Sequence, residues 1–377
     1  MAAAQILIAR LFFSRWQKLF PPGIARAIRL VLYVLWAVVA FSIVLRFHPA
    51  AYALRWTPVL LRSTLSAIGN VWGAAAVPSL AIYYLLRFFT RRPAAEHSPG
   101  RRKLIRTAGT AAALAPFAAA GFGLVLERTD FHIKEIDLPI PGLHPDLEGL
   151  RIGQLSDLHV SPWLSVADLG RAVDMLNELK PHLTLVTGDL ITQVGDPLDE
   201  TIRELSRLRA DAGILGCLGN HEWYTRCQDY ATAQAARYGM AFLRTQARLL
   251  QWGKGTLNVA GVDFQRSERI RPYLLGAEKL VVPGVTNLLL SHHPDVFPTA
   301  VRKGYDGVIS GHTHGGQVTI AAFNQTLNIA RLATPYVAGL YRLDGRSCYV
   351  TAGLGTIAIP VRIGAPPEIT LLRLTKA

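Results

Sequence analysis

The stretch Gly311-His312-Thr313-His314-Gly315-Gly316-Gln317 sets two imidazoles two residues apart, directly after the apolar run Gly307–Ser310. A His-x-His pair at the end of a buried strand points both rings into one cleft. The small residues around it let the backbone come close to whatever the rings hold. Imidazole suits Zn, Mn, Fe and Ni. Taken alone the pair reads as well as two surface histidines, so its meaning depends on the rest of the chain.

Four other short apolar runs end the same way. Leu150–Leu155 runs into Ser156-Asp157-Leu158-His159, and Leu183–Thr187 into Gly188-Asp189-Leu190. Gly213–Leu218 runs into Gly219-Asn220-His221-Glu222, and Thr286–Leu290 into Ser291-His292-His293-Pro294-Asp295. Singly, Gly188-Asp189 is a common turn and Asn220 a helix cap. Five strand ends in order, each presenting Asp, His or Asn, define a site, because open α/β sheets build their sites at the carboxyl ends of strands.

The elements between them must alternate strand and helix. Val166, Leu169, Val173, Leu176 and Leu179 share one helical face, which predicts a helix over Val166–Leu179 stopped at Lys180-Pro181. A second helix is expected around Thr201–Leu208, and further strands over His132–Leu138, Ala241–Arg244 and Leu257–Val262.

Composition divides the chain. The first 126 residues hold 15 of the 40 Lys+Arg and one of the 26 Asp+Glu, Glu96, so the formal charge of +14 lies wholly there. Residues 127–377 are balanced, which argues against a basic nucleic-acid groove beside the site. The 377 residues suit about two domains, with boundaries at 1–126 and 127–377. Cys217, Cys227 and Cys348 have neither metal spacing nor a disulfide framework. Cys217 and Cys348 sit in apolar runs as buried thiols; a Cys217–Cys227 bridge is the weaker alternative.

The N-terminal part reads as a membrane region with about three transmembrane helices. Leu30–Leu45 is uncharged and flanked by Arg29 and Arg46, whose stems can snorkel. A second apolar run lies between Arg62 and Arg87, and a third over Thr107–Leu126. None carries the internal acid or base that marks an ion pathway, so a transporter is not expected.

Basic residues crowd the N-terminus (Arg10, Arg15, Lys18, Arg26, Arg29) and the second connection (Arg87 to Arg106). The positive-inside rule puts both in the cytoplasm. The expected location is therefore a multi-pass protein of the cell (inner) membrane with its catalytic domain extracytoplasmic. Arg101-Arg102-Lys103-Leu104-Ile105-Arg106 resembles a twin-arginine signal, which would make the export machinery a partner; a plain basic loop explains the same residues. If the signal operates, the third run is either cleaved or kept as an anchor.

Asp-x-His, Gly-Asp, Gly-Asn-His-Glu, a lone His and Gly-His-x-His, in this order, resemble the calcineurin-like metallophosphoesterases over roughly residues 130–377. Thr351–Gly355 and Pro360–Ile369 are similar to the C-terminal signature of the membrane-anchored bacterial phosphodiesterases within that family. The resemblance implies a four-layer α/β/β/α sandwich, here preceded by an all-α transmembrane region, and two divalent ions (Mn, Fe or Zn). By motif, Asp157, His159 and His314 would hold the first ion, Asp189 would bridge, and Asn220, His292 and His312 would complete the second. His221 would face the leaving group, with Glu222 or Asp263 as alternatives for orienting it. His293 and Arg362 would face substrate. Protein phosphatases of the family carry a second aspartate three residues after the bridging one; here Thr192 stands there, against that activity.

Two ions about 3.5–4 Å apart neutralise phosphoryl oxygens and supply hydroxide near neutral pH, so the resemblance implies phosphoester hydrolysis by a metal-bridging hydroxide. Membrane anchoring points to a lipid or lipid-linked phosphodiester or diphosphate. A phosphomonoesterase, or a non-catalytic metal-binding membrane scaffold, is the alternative.

Overall fold

The computed structural model describes residues 20–47, 58–89, 99–266, 272–322 and 325–377. They group into two units: residues 1–125 with 358–361, and residues 126–357 with 362–377.

In the first unit, α1 (Pro22–Phe47), α2 (Val59–Phe89) and α3 (Pro99–Val125) are long helices. Pro22 at the first turn of α1 lacks an N–H that would have had no partner there, so it starts the helix without penalty. The segments Pro22–Phe41, Leu60–Phe88 and Thr107–Thr129 are long and apolar enough to cross a membrane. The first begins earlier than the uncharged run Leu30–Leu45, because the segment absorbs Arg26 and Arg29. Ala25 and Leu32 of α1 pack with Trp72 of α2, and Trp72 meets Phe117 of α3 at 5.0 Å between ring centroids. Other large apolar side chains of α1 (Leu30, Val31, Val34, Trp36) face outward, as hydrocarbon rather than water permits. Arg10, Arg15, Lys18, Arg55, Arg91 and Arg92, on which the orientation rests in part, lie outside the described residues.

The second unit is built on two six-stranded sheets. In chain order its strands are β1 (His132–Ile140), β2 (Arg151–Leu155), β3 (Leu183–Thr187), β4 (Ile214–Cys217), β5 (Ala241–Phe242), β6 (Gln246–Trp252), β7 (Gly255–Gly261), β8 (Thr286–Leu290), β9 (Gly307–Ser310), β10 (Thr319–Ala322), β11 (Gln325–Asn328), β12 (Gly339–Leu343), β13 (Arg346–Val350) and β14 (Glu368–Lys376). The first sheet runs β1-β14-β2-β3-β4-β5 and the second β12-β13-β9-β8-β7-β6, with β10-β11 as a separate ribbon. Strands β2 to β5 are mutually parallel, as are β7, β8, β9 and β13. Parallel register (Leu155 opposite Val186; Leu290 opposite Ile309) brings the carboxyl ends of neighbouring strands together. That is where the five motifs lie.

Burial follows strand alternation. Leu183 and Leu185 point between the sheets, where they join Ile152, Leu288, Leu290 and Ile309 in one core. Val186 points to the other side, against Leu169, Val173 and Leu176 of α4 (Val166–Glu178) and Ile202 and Leu205 of α5 (Leu198–Leu205). Burying each such aliphatic side chain is worth about 1.5–3 kcal/mol. The helix α4 begins at a capping box: Ser165 Oγ accepts from Asp168 N–H, and Asp168 Oδ2 accepts from Ser165 N–H. A third core beyond the second sheet joins Val308, Cys348 and Val350 to Phe297 and Ala300 of α8 (Phe297–Arg302). Two more helices, α6 (Asn220–Thr225) and α7 (Gln228–Arg237), follow β4. The result is the expected α/β/β/α layering. Cys217 and Cys348 are buried free thiols, and Cys227 is free as well.

Candidate metal centre

The turns after β2 and β3 are laced together: Asp157 N–H donates to Gly188 O and His159 N–H to Asp189 O, each at 3.0 Å. Glu222, on the first turn of α6, uses both carboxylate oxygens to accept from Gly219 N–H (2.8 Å), Asp189 N–H (3.0 Å) and Leu190 N–H (2.7 Å). Asp189 Oδ1 in turn accepts from His221 N–H at 2.8 Å. Asp157 is held by Ser156 Oγ–H at 2.7 Å and by His312 N–H at 2.9 Å. The backbone comes so close at Gly219 that a Cβ there would lie 2.1 Å from Asp189 Oδ1.

The positions of the side chains are costly. Asp157 (φ 50°), His159 (45°), Asp189 (54°), His312 (77°) and His314 (53°) all occupy the left-handed region. A non-glycine residue held there costs about 1–3 kcal/mol, and such strain concentrates at functional sites. Here it turns five chemistry-bearing side chains inward.

Asp157, His159, Asp189 and His314 bring one donor atom each to within 4.8 Å of one another, and Asp189, His292 and His312 form a second such group. Asp189 belongs to both. Its Oδ2 lies 3.4 Å from His159 Nε2 and 3.1 Å from His292 Nε2. His314 Nε2 lies 3.3 Å from Asp157 Oδ1 and 3.2 Å from His159 Nε2. Asn220, buried at the start of α6, has an Oδ1 with no hydrogen-bond partner. His292 Nε2, although near Asp189, makes no well-formed hydrogen bond either.

The outer nitrogens explain which way the rings face. His292 Nδ1 meets Thr187 O at 2.7 Å, His314 Nδ1 meets Gly355 O at 3.4 Å, and His159 Nδ1 meets Thr192 Oγ1 at 3.3 Å. A carbonyl only accepts, so Nδ1 of His292 and His314 carries the proton and Nε2 presents a lone pair inward, the arrangement of a metal-ligating histidine. Two imidazole nitrogens 3.2 Å apart, an unpartnered amide oxygen and two buried carboxylates fit divalent cations.

Electrostatics agrees. Burial disfavours charge at His292, yet Asp189 and Asp157 pull it up to about 10: the two carboxylates call for positive charge at Nε2, which a cation bound there would supply in place of a proton. Burial works against the Asp189 carboxylate too, but His292 and His159 hold it well below its ordinary range. Burial, with His292 and His293 nearby, pushes His312 well down.

His221 lies beside this cluster, its ring edge-on to His159 at 4.6 Å. Its Nδ1 meets the main-chain oxygen of Thr192 at 2.6 Å, and its buried Nε2 has no hydrogen-bond partner. Burial holds the ring below the ordinary histidine range. Neither expected orienting carboxylate serves it: Glu222 is spent on backbone N–H groups, and Asp263 is forked by Arg244 at 2.9 and 3.0 Å. His293 stacks near His312 at 4.7 Å, with Nδ1 accepting from Asp295 N–H.

Arg362 does not face substrate. It is fully buried, and it donates to the carbonyls of Gly355, Ala352, Gly353 and Ala365 at 2.6–3.1 Å. Burial pushes its guanidinium down to about 10. It clamps the segment after β13, with no donor left for a phosphate. Sequence reading also passed over Glu222 as a clamp, although a glutamate three residues after the helix-starting Gly219 is placed to accept from that residue's N–H.

Residues 150–316 match the family model described as calcineurin-like phosphoesterase. The chain is 30% identical over 276 residues to a "transmembrane protein with metallophosphoesterase domain" of Danio rerio, covering 68% of this chain and 60% of that one. A protein of the same description from Bos taurus is 29% identical, with 65% and 57% covered. An uncharacterised metallophosphoesterase of Bacillus subtilis is 28% identical, with 71% and 94% covered. The chain thus matches about three fifths of the length of the two animal relatives. Among solved structures, a phosphopantetheinyl hydrolase of Mycobacterium tuberculosis overlaps 55% of this chain and 91% of its own at 14% identity and a TM-score of 0.37. The chain carries a calcineurin-like metallophosphoesterase domain, preceded by three helices of membrane-spanning length and composition. The three apolar helices and the relatives described as transmembrane proteins point to a membrane protein.

Proposed function

We propose that the chain is a membrane-anchored, two-metal phosphodiesterase acting on a lipid or lipid-linked phosphodiester or diphosphate. The observation that carries the reading is the place of Asp189, whose Oδ2 stands between His159 Nε2 and His292 Nε2 and belongs to both ligand groups. Asp157, His159 and His314 would hold one ion, and Asn220, His292 and His312 the other. The ions, when bound, neutralise phosphoryl oxygens and make hydroxide available near neutral pH. The chain's own contribution follows from its geometry. The left-handed turns fix the donors before any ion arrives, so little reorganisation is needed. His221 keeps Nδ1–H on Thr192 O and turns Nε2 into the site, where, after taking a proton from solvent, it can pass that proton to the departing oxygen; such positioned proton transfer is worth about 10²–10⁴-fold. His293, half-buried beside His312, would line the substrate path.

The basic residues of the first 126 positions support a cytoplasmic N-terminus and an extracytoplasmic catalytic domain in a cell (inner) membrane. Arg101–Arg106 supports use of twin-arginine export.

The test uses the full chain in detergent, stripped of metal and resupplied with Mn²⁺ or Zn²⁺. The reading expects bis-p-nitrophenyl phosphate to be cleaved faster than p-nitrophenyl phosphate, with no cleavage before metal is added. A preference for the monoester would instead make it a phosphatase; two bound ions without turnover of either ester would return the scaffold reading.

A further inference from the structure

The β10–β11 ribbon and the turn after it carry an apolar surface that the chemistry of the site does not use. Ile320 and Leu327 are directly opposed across the two strands, so they share one face. They are 50% and 68% exposed. The next turn, Ile329–Leu332, is 3₁₀, in which residues three apart eclipse. Its Ile329 and Leu332 are 70% and 89% exposed. Single exposed aliphatics are ordinary, but four within thirteen residues, paired on two regular elements, are not.

Charge selects what covers this face. Between Asp306 and Asp344 the sequence has no Asp or Glu, whereas Arg331 and Arg342 lie within it. An aliphatic segment that carries no carboxylate of its own, edged by an exposed arginine whose head can reach phosphates, suits a bilayer carrying anionic headgroups. The chain's three helices of membrane-spanning length keep a bilayer at hand.

We propose that this ribbon and turn are a membrane-docking surface, which lays Ile320, Leu327, Ile329 and Leu332 at the boundary of headgroups and acyl chains with Arg331 among the phosphates. The ribbon is not a loose flap. Asn328, buried at its end, donates from Nδ2 to Gly315 O and Thr319 Oγ1, each at 2.7 Å. Thr319 N–H donates to Ile363 O at 2.8 Å. A Cβ on Gly316 would lie 2.0 Å from Asn328 Oδ1. The surface is therefore latched to the loop that carries His312 and His314. If the proposed function holds, docking brings that loop to the lipid surface where a lipid-linked phosphoester is found. The docking itself rests on exposure and charge, not on catalysis.

The test labels Leu332→Cys in the full chain with an environment-sensitive fluorophore, in a Cys227→Ser background because the other two cysteines are buried. The protein is reconstituted in phosphatidylcholine–phosphatidylglycerol vesicles, and Leu249→Cys, at another exposed aliphatic, is labelled in parallel. Nitroxide lipids should cut the Leu332 signal about two-fold, as for a group about 5–10 Å inside the headgroup boundary, and leave the Leu249 signal nearly unchanged. Equal quenching at the two positions would overturn the proposal. So would a blue shift at Leu332 without lipid quenching, which would mean that protein covers the face. Because the readout is not activity, an inactive enzyme with a quenched label would sink the phosphoesterase reading alone.

Discussion

The Nδ1 of His221 and the main-chain oxygen of Thr192 lie 2.6 Å apart, so a peptide carbonyl sets the orientation of the ring proposed as proton donor. Thr192 holds the position where protein phosphatases of the family have an orienting aspartate. The backbone of the same residue supplies an oxygen acceptor instead, without adding a further carboxylate beside Asp157, Asp189 and Glu222.

His221 belongs to neither ligand group and its side chain meets them only edge-on at His159, so His221→Ala should keep its metal. Turnover of bis-p-nitrophenyl phosphate should fall about 10²–10⁴-fold. Metal analysis of the purified variant beside its kcat checks both parts. Loss of metal in step with activity would assign His221 to the ligand shell.

Thr192→Val keeps the carbonyl that holds His221 but removes the hydroxyl 3.3 Å from His159 Nδ1. Such outer partners tune ligand orientation, so metal affinity should drop about 10–100-fold. At saturating metal, kcat should recover to near the parent value. A kcat that stays low would mean that the side chain, not the carbonyl, positions the proton donor.

Arg362→Met leaves several buried carbonyls without donors, among them those of Gly355, Ala352 and Gly353. Stability should fall by about 3 kcal/mol or more, seen as a lowered Tm. KM of the metal-loaded enzyme should be little changed. An unchanged Tm with a raised KM would restore the substrate-binding role expected of it.

Acid stability has a legible source at Glu368. Burial alone would raise this carboxyl, but the Lys134 ammonium at 2.7 Å and hydrogen bonds from Tyr349 and Thr370 hold it below the ordinary range. A depressed carboxyl stabilises the fold above its unfolded pKa of about 4.3 and loses that contribution as pH falls through the folded value. Lys134→Met should therefore cost stability at pH 7, by about 1 kcal/mol since the lysine is 44% exposed. The difference in Tm from the parent should shrink as pH drops below about 4. A difference that does not change with pH would mean that packing of the lysine stem, not the charge pair, matters.

Much of the site was legible because buried parallel strands read as continuous apolar runs. The runs β2, β3, β4, β8 and β9 end in Asp, His or Asn, and the ends coincide in space. Other parts had no such signature. The outer strand β6 alternates exposed and half-buried residues, and β14 pairs with β1 across most of the domain. Arg362 read as a charge for an anion, since nothing local to Pro360–Gly364 announces a ring of carbonyls. The partner of His221 is a peptide oxygen, which every residue type has. The left-handed turns at Asp157, His159, Asp189, His312 and His314 are uncommon for any residue but glycine, and hydrogen bonds to segments distant in sequence hold them.

The most direct test of the account concerns Asp189 as the shared ligand. Metal-stripped full chain would be titrated with Mn²⁺ by calorimetry, beside Asp189→Ala, with bound metal counted after desalting. The account predicts two ions per chain in the parent, hydrolysis of bis-p-nitrophenyl phosphate only in the loaded protein, and loss of both ions and activity in the variant. A single ion in the parent, or two ions retained by Asp189→Ala, would contradict it.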